Sequence, residues 1–487
     1  MKLFVFLSLI GLDPRYHTFE ETITEIERIR LLNPSIIYVE TLGYTSVLNR
    51  PIIGVKISDN PFSYEPEPTL LFVGVHHAEE VLGLEVSLFT MERIVSNYGV
   101  DSSITKIVNE TQLWFIPLLN ADGHHIVTEG IDTTWRKNLR DNNLNGQFDP
   151  DFDGVDLNRN YSFNWDSGGS SDPSSEYYRG PAPFSENETR VIRDLAQRER
   201  FLMAIDFHSA RTGQGEIIYY PWRWGGNFCV DYPFIRSIAQ LLARSIVNDA
   251  GTGTYASIYG TATEGNFRNY LYAYYGTYAY TLEISWGCLP PGYRVDSICE
   301  RVYTGLIEFI KRVFQSGIAI QVMDNNLNPL EAEIRINGYY DPQLPPRTSN
   351  PVNGMFWKLL NPGIYNITII KDGYDTLTIS GVEIGDTLIH YTAILNRARV
   401  SESKYLKLKI TYWKGRKLEL NLEGIDCTHL KEIILLDSSG RLVEAVKINH
   451  GEKTAVVAIP RKLKPGVYFI ILRSDKNTLV SSILLLD

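Results

Sequence analysis

The stretch LLFVGVHHAEEVLG, residues 70–83, begins as an apolar run and breaks off at two histidines, an alanine and two glutamates. A short apolar run of this kind reads as a buried strand, and the segment after it, GLEVSLFTMERIVSNY, carries helical periodicity. A buried strand delivers its last residues to the carboxyl edge of its sheet, where α/β proteins place their sites. A His and a Glu three positions apart at the following turn can converge on one ion, so His76 with Glu79, or His77 with Glu80, is a candidate chelating pair. By spacing alone the motif also suits charged residues at an exposed helix start.

Working outward, apolar runs recur as strand candidates: SIIYVETLG, IIGVKIS, TQLWFIPLL, FLMAIDFHS and YAYTLEIS. Between them lie helical stretches, among them YHTFEETITEIERIRLLNP, SENETRVIRDLAQRER and FIRSIAQLLARSIVNDAG. The pattern predicts an α/β region over residues 13–316, a mixed sheet flanked by helices. A zinc hydrolase needs three protein ligands and one open position. His208, at the end of FLMAIDFHS, offers the third from a second strand end.

After Ser316 the texture changes to short apolar and polar alternation broken by turn residues. Residues 317–396 and 400–487 both read as small antiparallel β-sandwiches. The two share a strand opening, NPGIYNI and KPGVYFI, that is turn chemistry more than repetition.

The 487 residues suffice for two to four domains. A net charge of −10 disfavours nucleic acid as partner. Cys229, Cys288, Cys299 and Cys427 are too scattered for a disulfide framework or a zinc finger and read as free thiols, although Cys288 and Cys299 lie close enough in sequence to bridge. The opening MKLFVFLSLIGL fits the apolar core of a signal peptide over residues 1–12, without an Ala-x-Ala-like cleavage site, and points to a secreted or surface protein. No other segment approaches a transmembrane length.

The α/β region resembles the zinc carboxypeptidases A, B and T. The matching pieces run in order from YHTFEE and RPIIGVKISDNP through GVHHAEE, PLLNADG and WRKN to GVDLNRNYSFNW. They continue with YYRGPAPFSENET, DFHS, SIYG and YTLEIS. The resemblance implies one zinc ion on His77, Glu80 and His208, which leaves His76 and Glu79 as neighbours. It implies Glu283 as general base, Arg136 as stabiliser of the oxyanion, and Asn158 with Arg159 as the clamp on a free C-terminal carboxylate. Tyr259 matches a mobile tyrosine that closes over the substrate. Arg268, placed by anchoring on NYLY, falls at the position facing the departing side chain and would favour Asp or Glu there. Glu79 departs from the family pattern, where an arginine helps to bind substrate upstream of the scissile bond.

The implied activity is that of a metallocarboxypeptidase acting on peptides with a free C-terminal carboxylate, with no inhibitory pro-segment before YHTFEE. The alternatives are a zinc-dependent cell-wall peptide amidase or deacylase, and a non-catalytic peptide-binding protein on the same fold. The loop DNNLNGQFDPDFDG places Asp141, Asn143 and Asn145 at alternate positions before Gly146, like the opening of a calcium loop, with Asp149, Asp151 and Asp153 as further oxygens. Its twelfth position is Phe152 where an EF-hand has a bidentate Glu. Residues 317–396 resemble the transthyretin-like sandwich often appended to this family. Residues 400–487 resemble C-terminal sorting domains of exported bacterial proteins, which suggests attachment at the cell surface.

Overall fold

The computed structural model describes residues 12–398, apart from residue 212, and seven strands between residues 409 and 485. The signal-peptide reading of the first residues therefore lies outside the described residues.

Thr18 opens the first helix, α1 (Phe19–Leu32), through a reciprocal capping box with Glu21, the arrangement that satisfies two orphan N–H groups at once. The chain then lays down β1 (Ile37–Tyr44), β2 (Pro51–Ile57) and β3 (Thr69–Val73), followed by α2 (Leu82–Asn97), α3 (Ser102–Glu110), β4 (Gln112–Ile116) and α4 (Ala121–Thr128). A long loop region leads to α5 (Asn187–Glu199), β5 (Met203–His208), β6 (Ile217–Trp224), β7 (Asn227–Phe228) and α6 (Tyr232–Ser245). β8 (Ala256–Thr261), α7 (Phe267–Tyr275), β9 (Tyr278–Glu283) and α8 (Gly292–Lys311) complete the α/β region.

Nine strands form one mixed sheet, in the order β1-β2-β4-β3-β5-β9-β6-β7 with β8 paired to β6. At its centre β4, β3, β5 and β9 run parallel, and β3 and β4 are buried at every residue. Strands covered on both faces carry continuous apolar runs in place of alternation, which is why TLLFV and QLWFI read as uninterrupted. Apolar side chains on the two faces make two clusters, one under α2, α6 and α8 and a smaller one under α5 and α7. The expected mixed sheet with flanking helices is therefore the fold.

After α8 come β10 (Gly317–Asp324), β11 (Glu333–Ile336), β12 (Met355–Leu359), β13 (Gly363–Ile370), β14 (Leu377–Ile384) and β15 (Leu388–Leu395), in two sheets of order β12-β10-β15 and β11-β13-β14. β10 and β15 pair in parallel, so this module is not purely antiparallel as its alternation suggests. It belongs to the same compact unit as the α/β region. Tyr278 Oη donates to Leu359 O (2.7 Å), Asn350 Nδ2 to Arg198 O (3.0 Å), and Arg200 pairs with Glu331 (2.7 Å).

The second unit takes up Asn396 onward, with Gly373–Asp375. Its strands, β16 (Lys409–Trp413) to β22 (Thr478–Leu485), form sheets of three and four in which every pairing is antiparallel.

Candidate metal centre

β3 ends at Val73 and the chain turns through Gly74 and Val75 before the two histidines. A Cβ at Gly74 would lie 2.4 Å from Pro117 O, so only glycine fits that crossing. Val75 holds a left-handed φ of 59°, a costly conformation for a β-branched residue. Backbone N–H groups of Leu119 and Asn120 grip Gly74 O and Val75 O (3.1 Å each), and the Asn120 side-chain amide donates to His76 O (3.2 Å). Strain of this kind persists only where the surroundings over-determine it, and here the result is to point His77 and Glu80 off the strand end.

His77 Nδ1 lies 3.0 Å from Glu80 Oε1, and His208 Nδ1 lies 2.7 Å from Glu80 Oε2 and 3.0 Å from His77 Nδ1. All three residues are at most 4 % exposed. Two imidazole nitrogens 3.0 Å apart and both aimed at one carboxylate make a poor hydrogen-bonded cluster, because two N–H donors so close repel each other. They are a good donor set for a cation, since ligands about 2.0–2.1 Å from a tetrahedral zinc lie about 3.3 Å apart.

Both histidines have their remaining nitrogen set by a carboxylate, the outer-shell arrangement that orients metal-binding imidazoles. His77 Nε2 faces Asp156 Oδ1 (3.2 Å) and His208 Nε2 faces Asp206 Oδ2 (2.6 Å). His76 is a neighbour of the set, as the resemblance implies: its Nε2 faces Tyr161 Oη (2.7 Å) and its Nδ1 lies 2.6 Å from Asp206 Oδ1. His76, Asp206 and His208 thus form a second compact group of potential ligands. There Asp206 already bridges the two rings, which suits an orienting carboxylate better than a ligand.

The electrostatics agree. Burial would push Glu80 up, but the imidazoles of His77 and His208 outweigh it and hold the carboxyl below its usual range. Burial opposes charge on His208 too, yet Asp206 and Glu80 drive its pKa well above the ordinary value. The cluster calls for positive charge at its centre.

Glu283 ends β9 directly opposite His208 in the parallel register. Burial, reinforced by the Glu80 charge, pushes it up to about 7, and its buried Oε2 has no hydrogen-bond partner. His77, Glu80, His208 and Glu283 line one open cavity together with Arg136, Asn158, Arg159 and Arg268. Arg136 donates from Nε and Nη2 to Asp156 Oδ2 (3.1 and 3.0 Å), with Nη1 3.6 Å from Glu80. Asn158 donates to Asp206 (3.1 Å), and Arg159 Nη1 bonds Asn158 O (2.9 Å). Arg268 is buried and donates to Thr281 Oγ1 (2.9 Å) and Glu264 Oε2 (3.0 Å).

Tyr259 is the residue the structure does not bring in. It is absent from the cavity wall and packs against Phe228 and Tyr232, with ring centroids 5.3 and 6.5 Å away. Among the described residues, the carboxylates of the loop of Asp141, Asn143, Asn145 and Asp149 do not gather into a group of three. Asp141 accepts the Gly146 N–H (2.8 Å), Asn145 the Gln147 N–H (2.8 Å), and Asp149 the Asn143 amide (3.3 Å), so the loop spends its oxygens on itself and calcium gains no support. Cys229, Cys288 and Cys299 are free thiols.

Sequence reasoning left Asp156 and Asp206 without a role. The signal for Asp206 was present: two residues apart on one strand, it and His208 share a face. For Asp156, far from His77 in the chain, no local signal exists. Glu79 is buried and pairs with Arg211 (3.3 Å), a contact between loops that spacing cannot show.

The zinc carboxypeptidase family profile matches residues 22–305. Rat (Rattus norvegicus) carboxypeptidase A2 is 27% identical over 308 residues, covering 61% of this chain and 70% of the relative. A protein of Uncinocarpus reesii named inactive metallocarboxypeptidase ECM14 is 32% identical over 196 residues, covering 38% of this chain and 32% of the relative. Among solved structures, carboxypeptidase A from Helicoverpa armigera superposes with a TM-score of 0.54 at 24% identity, over 61% of this chain and 73% of that one, a likeness of fold. Among the described residues no helix is long and apolar enough to cross a membrane.

Proposed function

The chain belongs to the zinc carboxypeptidase family, and from that premise we propose that it is an active zinc-dependent carboxypeptidase which removes single C-terminal residues from peptides. Family membership alone does not carry this, since one relative is named inactive. The observation that carries it is the convergence of His77, Glu80 and His208 beside the carboxylate of Glu283, in a cavity that also holds Arg136, Arg159 and Arg268 for anionic substrate atoms.

Zinc held by His77, Glu80 and His208 would polarise the scissile carbonyl and acidify a water to a pKa near ~7. The chain's own residues do the rest. Glu283 takes a proton from the attacking water at its carboxylate as the C–O bond forms, then returns it to the departing amine nitrogen as the C–N bond breaks. Its raised affinity for protons, set by burial and by Glu80, suits a group that must both accept and donate near neutrality. Arg136 presents Nη1 to the side where negative charge develops on the former carbonyl oxygen, while Asp156 fixes the plane of its guanidinium.

Arg159, with the Asn158 amide, binds the free terminal carboxylate. Arg268 receives the side chain of the terminal residue and favours Asp or Glu. Glu264 already pairs with that guanidinium (3.0 Å), the alternative to a specificity role, and is the group an acidic substrate would have to displace. Tyr259 would have to leave Phe228 to reach the substrate. We further propose three modules, a catalytic domain over residues 13–316, a β-sandwich over 317–396 and a C-terminal β-domain over 400–487, in a protein exported through its apolar opening and held at the cell surface by its β-domains.

The test is hydrolysis of blocked peptides ending in Glu, Leu, Phe, Arg or D-Ala, with and without a zinc chelator. Chelator-sensitive release of one L-residue, fastest for Glu, is the expected result. Silence on every L-terminus with zinc restored would overturn the proposal, and release of D-Ala alone would move it to cell-wall peptides.

A further inference from the structure

Two of the arginines above, Arg136 in a loop and Arg159 at the end of the short 3-10 helix Leu157–Arg159, stand 23 positions apart in sequence, yet one aromatic ring serves both. Tyr177 lies beneath the guanidinium of Arg136, 5.2 Å from ring centroid to Cζ, and beneath that of Arg159 at 5.7 Å. Both distances fall inside the range where a ring quadrupole attracts a cation. Tyr177 lines the same cavity as the metal-binding cluster and is 44 % exposed, so its ring is no buried core residue.

The backbone that carries the ring is fixed. Gly169 has a φ of 61°, and a Cβ there would sit 2.7 Å from Tyr177 O and 3.2 Å from Arg159 Cβ. This close approach lets Ser170 N–H donate to Tyr177 O (2.8 Å), while Tyr177 N–H donates to Ser175 Oγ (3.2 Å). On the far side the adjacent Glu176 pairs with Arg211, which is itself bound to Thr134 O (3.1 Å). The platform is thus tied to both walls of the cavity.

The two guanidiniums need it unequally. Arg136 has its two bonds to Asp156. Arg159 has one bond to a backbone carbonyl and no ion-pair partner among the described residues. Two like charges facing one cavity repel. Asp156 holds the Arg136 guanidinium with its side chain and the Arg159 backbone through its carbonyl (3.0 Å), which leaves the Arg159 guanidinium to be placed by one carbonyl and the ring.

We propose that Tyr177 is a positioning residue that sets the separation of Arg136 and Arg159, and with it the one-residue spacing between the scissile carbonyl and the terminal carboxylate of a peptide substrate. This rests on the carboxypeptidase reading. The ring acts as a ruler: it makes cleavage depend on a carboxylate one residue beyond the bond.

The test compares Tyr177→Leu and Tyr177→Phe in the full, zinc-loaded chain, on one peptide presented as the free acid and as its C-terminal amide. Tyr177→Leu should lower kcat/KM for the acid about tenfold, chiefly through KM, with the residual cleavage of the amide unchanged, so that discrimination between the two shrinks by the same factor. Tyr177→Phe keeps the ring and should keep the discrimination. An unchanged acid-to-amide ratio in Tyr177→Leu, or a Phe variant as poor as the Leu variant, would overturn the proposal. In an Arg159→Ala background Tyr177→Leu should cost no further discrimination, and fully additive losses would also count against it. Wild-type protein that releases no C-terminal residue removes the underlying reading; an active wild type with an indifferent Leu variant removes this inference alone.

Discussion

The central strands of the sheet carry buried charge at both ends, and the two ends are built differently. At the carboxyl edge, His77, Glu80, His208 and Glu283 crowd an open cavity, and one Glu283 oxygen has no partner. At the other end, beside the first residues of β9, Lys358 of the sandwich pairs with Asp231, whose second oxygen accepts from Tyr272 Oη (3.0 Å). Lys358 and Asp231 are both nearly fully buried. Burying charge is expensive unless it is paired and hydrogen-bonded. The Lys358–Asp231 pair meets that condition and joins two modules. The carboxyl edge leaves it unmet, and the unmet part faces the space where metal and substrate belong. A satisfied buried ion pair is architecture; an unsatisfied cluster beside a cavity is chemistry.

This contrast can be broken by substitution, and the largest effect is expected at Glu283. Glu283→Gln should lower kcat by roughly 10²–10⁴ while bound zinc, measured by atomic absorption, stays at one per chain. Retained turnover would end the proposed mechanism. Lys358→Met tests the other end: breaking a buried pair costs about 3–5 kcal/mol, so the melting temperature should fall clearly while the folded fraction keeps its kcat and zinc affinity. A loss of zinc affinity there would show that the two ends are coupled.

Smaller effects sharpen the division within the site. Asp206→Asn should weaken zinc binding about 10–100-fold, read by competition with a chelator, because His208 loses the partner that orients it. An unchanged affinity would shift the structural weight to Asp156. The smallest change is expected at Arg268, where Arg268→Met should reduce the Glu-over-Leu preference by about tenfold or less, through KM, and leave zinc binding intact. A preference that survives would assign acidic selection to another group.

Much of the fold was legible because its information is local. The continuous apolar runs of β3, β4, β5 and β9 mark strands buried on both faces, and Thr18 with Glu21 marks a helix start. The histidine and glutamate residues at the ends of those runs inherit their direction from the strands. What the chain could not show locally lies between distant loops: Asp156 on His77, Arg211 on Glu79, Tyr177 under two arginines, and Tyr259 turned towards Phe228. Sequence alternation also missed the parallel pairing of β10 with β15, since period two is the same in either direction.

The sequence by itself determined β1 to β5 and β9, the helices α1, α2, α5 and α6, and the residues delivered to the carboxyl edge, because periodicity and caps act over a few residues; β6, β7 and β8 came only with the structure. Only the tertiary structure decided which nitrogens face one another, which carboxylates orient them and which ring holds the arginines. Those depend on contacts between side chains far apart in the chain, set by how the loops pack.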